Sequence, residues 1–166
     1  MNAAREDRLP HMTPNAHDVA IVTGGSSGSG RAIASRLARC RWAIVVVYLA
    51  HQRTVDATVA AILAAEGDVV AVRASLADDL DVQRLFAESN AAFGGVDVVV
   101  HTTTDSAALL YEHAARHIRA GGAIVSVSAA DRMVPAVARR LHERGITVGR
   151  APPDGLVDFL DGWRPR

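Results

Sequence analysis

The chain has 166 residues, 49% of them apolar, with 18 basic and 18 acidic side chains and a formal charge of zero. That length suits about one domain with a buried core. The neutral balance argues against nucleic acid as the main partner, and without a run of about 18 apolar residues no segment is expected to span a membrane. The single cysteine, Cys40, excludes an internal disulfide, and all 18 basic residues are arginine, so lysine chemistry is absent from the sequence.

The first 16 residues are polar, contain Pro10 and Pro14 and lack the apolar segment of a secretory signal. They read as a flexible tail on a cytoplasmic protein. Apolar runs typical of strands follow at 19–23 (VAIVT), 42–48 (WAIVVVY), 68–72 (DVVAV), 96–102 (VDVVVHT), 123–128 (AIVSVS) and 146–149 (ITVG). The second and fourth are nearly continuous β-branched runs, the pattern of strands covered on both faces in a parallel sheet. Helical spacing marks 28–40, 54–66, 79–93, 106–120 and 132–144.

The first helical segment ends near Cys40, where a small buried thiol is expected. The third opens after Asp78, a good N-cap, with Asp81 three residues on favouring the positive helix end. Its apolar set includes Leu80, Val82, Leu85 and Phe86, which leaves Asp79, Arg84 and Glu88 for solvent. Gly121-Gly122 and Gly145 each follow a helical segment, where a left-handed C-cap is expected. The stretch APPDG at 151–155 breaks the pattern, and the remaining LVDFLDGWRPR reads as a loosely attached tail. Strand alternating with helix predicts an α/β, doubly wound, Rossmann-like and mostly parallel six-stranded sheet with right-handed crossovers. The expected division is a domain at 17–150 and a C-terminal loop and tail at 151–166.

Between the first strand and first helix lies TGGSSGSGRAIA, residues 23–34. A glycine-rich turn in that context suits a phosphate: Gly24 permits the tight turn, Gly28 lets backbone approach a pyrophosphate, and Gly30 permits close packing of helix on strand. Ser26 and Ser27 offer hydroxyl donors, and free amides at the helix start attract an anion. The plainer reading is a loop that binds nothing.

The spacing Thr23-Gly24-x-x-x-Gly28-x-Gly30 resembles the short-chain dehydrogenase/reductase family. FGGVDVVVH at 93–101, GGAIVSVSA at 121–129 and LHERGITVGRAPPDG at 141–155 are similar to that family's fourth, fifth and sixth strands with their flanks. The resemblance implies a nicotinamide dinucleotide lying over the carboxyl ends of the strands, held by Thr23, Gly24, Ser26, Ser27, Gly28, Ser29 and Gly30. Leu49, Arg53, Ser75, Leu76 and His101 are the further positions it implies, and a small carbonyl or alcohol is the implied substrate.

The choice of cofactor follows from charge. A carboxylate about 20 residues past the loop takes the adenosine ribose hydroxyls in NAD-selective sites. Residues 45–54, VVVYLAHQRT, hold none, and Leu49 stands at that position. Arg53, with Arg31 beyond Gly30, suits a 2′-phosphate, so NADP is favoured over NAD. The competing reading makes Arg53 a solvated residue near a helix start. The chain departs from the family at Ser29, usually apolar, at Ser75, usually acidic, and at His101-Thr102-Thr103-Thr104, where the family has Asn-Asn-Ala-Gly.

Family enzymes move a hydride with a tyrosine as proton donor or acceptor, its pKa lowered by a lysine four residues on and its substrate oriented by a serine. Here no tyrosine follows Tyr111, no lysine exists, and the serine position corresponds to Ala129, with Ser128 before it. Two segments are shortened, one after His101 and one after Ser128. Family members pair through helices in those segments, so a homo-oligomer is left open. His101 and Ser128 are the candidate replacement groups, His101 because histidine titrates near neutrality at the end of a central strand; a hydrogen-bonded structural histidine is the alternative. Tyr111 reads as a packed tyrosine. His113 and His117 are four apart on one helix face, but without a third ligand they read as solvated surface rather than a metal pair. No metal is expected. The functional expectation is an NADP-binding oxidoreductase by resemblance, the alternative a non-catalytic dinucleotide-binding relative acting as redox sensor or partner subunit.

Overall fold

The computed structural model describes residues 18–105, 107–127 and 135–163. In chain order the elements are β1 (Val19–Val22), α1 (Gly28–Arg39), β2 (Ala43–Tyr48), α2 (Gln52–Ala64), β3 (Val69–Arg73), α3 (Asp79–Phe93) and β4 (Val96–His101). Then come α4 (Ala108–His117), β5 (Ile118–Ser126), α5 (Pro135–Glu143), β6 (Thr147–Arg150), a 3-10 turn (Pro153–Gly155) and α6 (Leu156–Trp163). The strands form one six-stranded sheet in the order β3-β2-β1-β4-β5-β6, every neighbouring pair parallel. This is the doubly wound Rossmann-like α/β sheet expected from the alternation of strand and helix. The expected N-terminal tail, 1–16, and Ser128 lie outside the described residues.

The continuous apolar runs are explained by cover on both faces. Along β2, Ala43, Val45 and Val47 pack into a cluster with Val82, Leu85 and Phe86 of α3 and Leu110 of α4. Ile44 and Val46 point the other way, into a cluster with Ile33 and Leu37 of α1 and Val55 and Ile62 of α2. Helix ends follow the local chemistry. Asp78 caps α3 by accepting the Asp81 amide at 2.9 Å, and Gly94, with φ of 78°, closes the same helix. Leu80, expected among the apolar set of α3, is 72% exposed, because the helix face buried against the sheet runs through Val82, Leu85, Phe86 and Ser89.

Two expectations are corrected. The helix anticipated over 106–120 ends at His117, and β5 begins at the next residue. Gly121-Gly122 therefore lies within a strand and caps no helix. Arg119 Nη1 pairs with Asp97 Oδ2 at 2.6 Å, and the same oxygen accepts the Val19 amide at 2.8 Å, so the start of β5 is tied to β4 and β1. The register then shifts between Val96 and Val98, and a Cβ on Gly122 would sit 2.5 Å from the Asp97 carbonyl. The glycines serve a strand irregularity. Gly145, with φ of 67°, does follow α5 in the left-handed conformation.

The second correction concerns the C-terminal segment. Residues 156–163 form a helix with Leu156 and Leu160 each 1% exposed, packed into the cluster of α1 and α2. Phe159 lies against Gly149 of β6 so closely that a Cβ there would be 2.4 Å from its ring, and Arg36 of α1 donates to the Asp154 carbonyl at 3.1 Å. Leu160→Ala is expected to destabilise the domain by about 2–4 kcal/mol through loss of burial and the cavity left behind. Urea unfolding checks it; a change within error would mean the helix does not contribute to the core.

Candidate functional site

The site is built where β1 and β4 end side by side. Thr23, fully buried, continues β1 by donating its amide to the Val100 carbonyl at 3.0 Å. Its hydroxyl accepts the Thr102 amide at 3.0 Å and contacts His101 Nδ1 at 3.0 Å, while Thr102 Oγ1 donates to the Thr23 carbonyl at 2.7 Å. The Asp105 carbonyl, 3.2 Å from His101 Nε2, can only accept, so in the neutral ring Nε2 carries the proton and Nδ1 accepts the Thr23 hydroxyl proton, an assignment made from the network.

Beyond Thr23 the chain reverses at Gly24, with φ of 69°, a left-handed conformation that glycine adopts without strain. A Cβ there would also be 2.5 Å from Thr102 Oγ1. Gly25 donates to the Val47 carbonyl at 2.9 Å, and a Cβ on it would overlap Val46 at 2.0 Å. Gly30 leaves no room either, since its Cβ would be 2.1 Å from the Gly24 carbonyl oxygen. Gly28 is different. No atom lies within 4 Å of where its Cβ would be.

Ser27 is the N-cap of α1: its Oγ donates to the Gly24 carbonyl at 2.7 Å and accepts the Gly30 amide at 3.0 Å. The expectation that Ser27 donates its hydroxyl to a bound anion is corrected, because that proton is held inside the turn. The first helical bond runs from the Arg31 amide to the Ser27 carbonyl at 3.1 Å. The amides of Gly28 and Ser29 precede it and point out of the helix start. Ser29 is exposed, and Gly28 also borders a groove of about 290 Å³ between α1 and α2, beside Arg31, Ser35 and Thr58.

A cleft of about 470 Å³ opens above the carboxyl ends of β1 to β4. Thr23, Gly24 and Ser26 form its back, Tyr48, Leu49 and Ala50 one side, Ser75 and Leu76 its end, and Thr103 and Asp105 the opposite wall. Of the residues anticipated from sequence, the cleft thus brings together Thr23, Gly24, Ser26, Leu49, Ser75 and Leu76. Arg53, exposed in the first turn of α2, does not line it, and neither do Ser27, Gly28, Ser29, Gly30 or His101, the helix start standing at the cleft's edge. Tyr48, at the end of β2 and so expected on the adenosine side, is also in the lining, while Ala50, Thr103 and Asp105 are not among the anticipated site residues. Thr103 and Asp105 sit just past the departure from the family's Asn-Asn-Ala-Gly, which was the available signal. Thr103 Oγ1 is buried with no hydrogen-bond partner.

The Ser75 end is held by Asp81, whose Oδ2 accepts the Ser75 amide at 2.8 Å and whose Oδ1 meets Arg84 at 2.9 Å. The amide first, and Arg84 second, hold the Asp81 carboxyl below its ordinary pKa.

The surroundings of His101 fit the alternative of a hydrogen-bonded structural histidine. It is fully buried, outside the cleft lining, with hydrogen bonds at both ring nitrogens and its ring edge-on to Tyr111 at 6.1 Å. It braces the cleft from behind. Tyr111, 2% exposed, belongs to the core. His113 is also corrected: it is 5% exposed, not solvated, with Nε2 at 2.8 Å from Asp79 and its ring stacked on His117 and Phe86. Among the described residues no three metal-ligating side chains cluster.

The family model described as short chain dehydrogenase matches residues 18–112. The chain belongs to the short chain dehydrogenase family. It is similar to an uncharacterized oxidoreductase of Methylorubrum extorquens, 40% identical over 85 residues, covering 51% of this chain and 34% of the relative. A 3-oxoacyl-(acyl-carrier-protein) reductase of Synechocystis sp. is 38% identical over 90 residues, covering 54% of this chain and 36% of the relative. The match thus spans about a third of the length of these relatives. Among solved structures, a short chain dehydrogenase of Burkholderia cenocepacia in complex with NADP superposes with a TM-score of 0.67 at 27% identity, covering 81% of this chain and 73% of that one.

Thr23→Val is expected to cost about 1–3 kcal/mol, because it leaves the Thr102 amide and His101 Nδ1 without their buried partner. Chemical denaturation measures this; an unchanged midpoint would show that the joint carries no load. His117 is held below its ordinary pKa, by desolvation first and then by the charges of His113, Arg116 and Arg144. The unfolded chain therefore binds that proton more readily, and stability falls as pH drops below about 6.5. His117→Gln is expected to flatten the acid-side slope of melting temperature against pH, and an unaltered slope would contradict the assignment.

Proposed function

We propose that the chain binds NADP(H) in the cleft above β1 to β4, as a member of an oxidoreductase family that reduces carbonyls or oxidises alcohols. The observation that carries the reading is Gly28. The fold itself requires glycine at positions 24, 25 and 30, where a Cβ would clash, yet places no atom within 4 Å of the Cβ direction at 28. Next to that open position stand the amides of Gly28 and Ser29, at the positive end of a 12-residue helix with no acidic residue in its first turn. This is a fit for a pyrophosphate. The unpartnered Thr103 hydroxyl in the cleft wall supplies a further polar group for a ligand. The Burkholderia cenocepacia relative solved with NADP supports the same choice of cofactor.

In this arrangement Gly28 and Ser29 hold the pyrophosphate, Ser26 borders it, Ser75 and Leu76 close on the adenine, and Leu49 and Arg53 stand at the adenosine ribose. Bound NADPH supplies a hydride from its nicotinamide. The proton that must accompany hydride transfer to a carbonyl has no family donor here, since the 166 residues contain no lysine and no tyrosine after Tyr111. His101, buried and bonded at both nitrogens, does not replace it. These facts favour a second reading of the same site: a dinucleotide-binding relative that does not turn over on its own, acting as a redox sensor or a partner subunit.

NADP is expected to raise the melting temperature more than NAD. At about 100 times its dissociation constant it adds about 2.7 kcal/mol of stability. The Cβ of Gly28→Leu has open space around it, so the substitution is expected to leave the ligand-free melting temperature nearly unchanged and to abolish the shift. A shift that survives the substitution would move the site elsewhere, and no shift from either cofactor at millimolar concentration would end the binding claim. NADPH consumption with a panel of ketones and quinones separates the two readings: turnover by the isolated chain supports the enzyme, and its absence supports the non-catalytic form.

A further inference from the structure

We propose that Arg73, at the end of β3, is a determinant of specificity for the 2′-phosphate of NADP, a role that rests on the dinucleotide reading of the cleft. Arg73 pairs with Tyr48 in the parallel register of β2 and β3, so it stands beside the strand end from which the ribose-side residues emerge. Its Nε donates to the Leu49 carbonyl at 3.1 Å. That bond fixes the guanidinium at the β2–α2 turn and leaves both terminal nitrogens for an anion. Leu49, whose side chain is 56% exposed, and Ala50 border the cleft at this point. Leu49 occupies the position where a carboxylate selects NAD, and no Asp or Glu occurs in 45–54.

The guanidinium of Arg73 is not tied into an ion pair as other arginines near the sheet are. Among the described residues Arg84 lies between Asp81 and Glu88, each at 2.9 Å, Arg119 meets Asp97 at 2.6 Å and Arg140 meets Glu112 at 3.1 Å. Among the described residues Arg73 makes no ion pair at such a distance, and the carboxylate that feels its charge is Asp81. Asp81, on the neighbouring helix, is held by the Ser75 amide and by Arg84. Arg84 also donates to the Arg73 carbonyl at 2.7 Å, which steadies the strand end under the guanidinium. Four residues past Leu49, Arg53 is exposed in the first turn of α2, so two adjacent elements carry a cation outside the cleft lining, near its Leu49 border. A phosphate dianion is the ligand group that two guanidiniums suit, because each fork offers parallel donors at the right spacing.

The test is calorimetric titration at low ionic strength, where exposed charge is least screened, with NADP, NAD, adenosine 2′,5′-bisphosphate and adenosine 5′-monophosphate as probes. Arg73→Ala, at an exposed position, is expected to weaken NADP and the bisphosphate about tenfold or more while NAD and the monophosphate change less than about twofold. Arg73→Gln is expected to lose the same selectivity while keeping a donor for the Leu49 carbonyl, which separates charge from local packing. Equal losses for NADP and NAD, or no loss for either, would overturn the role of Arg73 while leaving the cofactor reading intact. A wild-type chain that prefers NAD would also overturn it, and one that binds neither dinucleotide would overturn the cofactor reading as well.

Discussion

The Thr23 hydroxyl is the joint on which the candidate site depends. In a parallel sheet the ladder stops at the strand ends, and the chains that leave β1 and β4 diverge toward α1 and α4. Something must hold them together where the ladder no longer does. Thr23 does so through the Thr102 amide, the His101 ring and the return bond from Thr102 Oγ1 to its own carbonyl. Through His101 the same joint reaches the Asp105 carbonyl, and so the far wall of the cleft. A family position that usually carries asparagine is filled here by a histidine and threonines, and the network is closed with different groups. Its donors and acceptors match at every step, which is what a buried polar network requires.

Packing at the glycine turn separates what the fold needs from what a ligand needs. Gly24 turns the chain and clears Thr102, Gly25 clears Val46, and Gly30 lets α1 approach the turn. Each would resist substitution for reasons internal to the protein. Gly28 has no internal reason to be glycine, and it lies beside the two amides that the helix leaves unbonded. The dinucleotide reading is carried at that position.

Much of the architecture was legible in sequence because the sheet is covered on both faces, which makes β2 and β4 continuous apolar runs, and because Asp78 and Ser27 are local capping signals. The errors arose where a distant partner decides. Nothing local shows that Arg119 will pair with Asp97 and start β5 directly after α4, so Gly121-Gly122 read as a cap. The same holds for the C-terminal helix, whose short apolar pattern acquires meaning only against α1 and Gly149. His113 looked solvated from its polar neighbours, but α3 brings Asp79 and Phe86 onto it. At the site, the motif glycines were legible as a spacing. The packing role of Gly25, the orphan hydroxyl of Thr103 and the reach of Arg73 to Leu49 depend on strand order and were not.

The central claim is that the amides at the start of α1 hold a pyrophosphate. The most direct measurement is a nitrogen-15 amide correlation spectrum of the chain titrated with NADP. Saturable shifts centred on Gly28 and Ser29, with smaller ones at Ser26 and Ser75, are the predicted result. Saturable shifts confined to other parts of the molecule, with Gly28 and Ser29 unmoved, would contradict it.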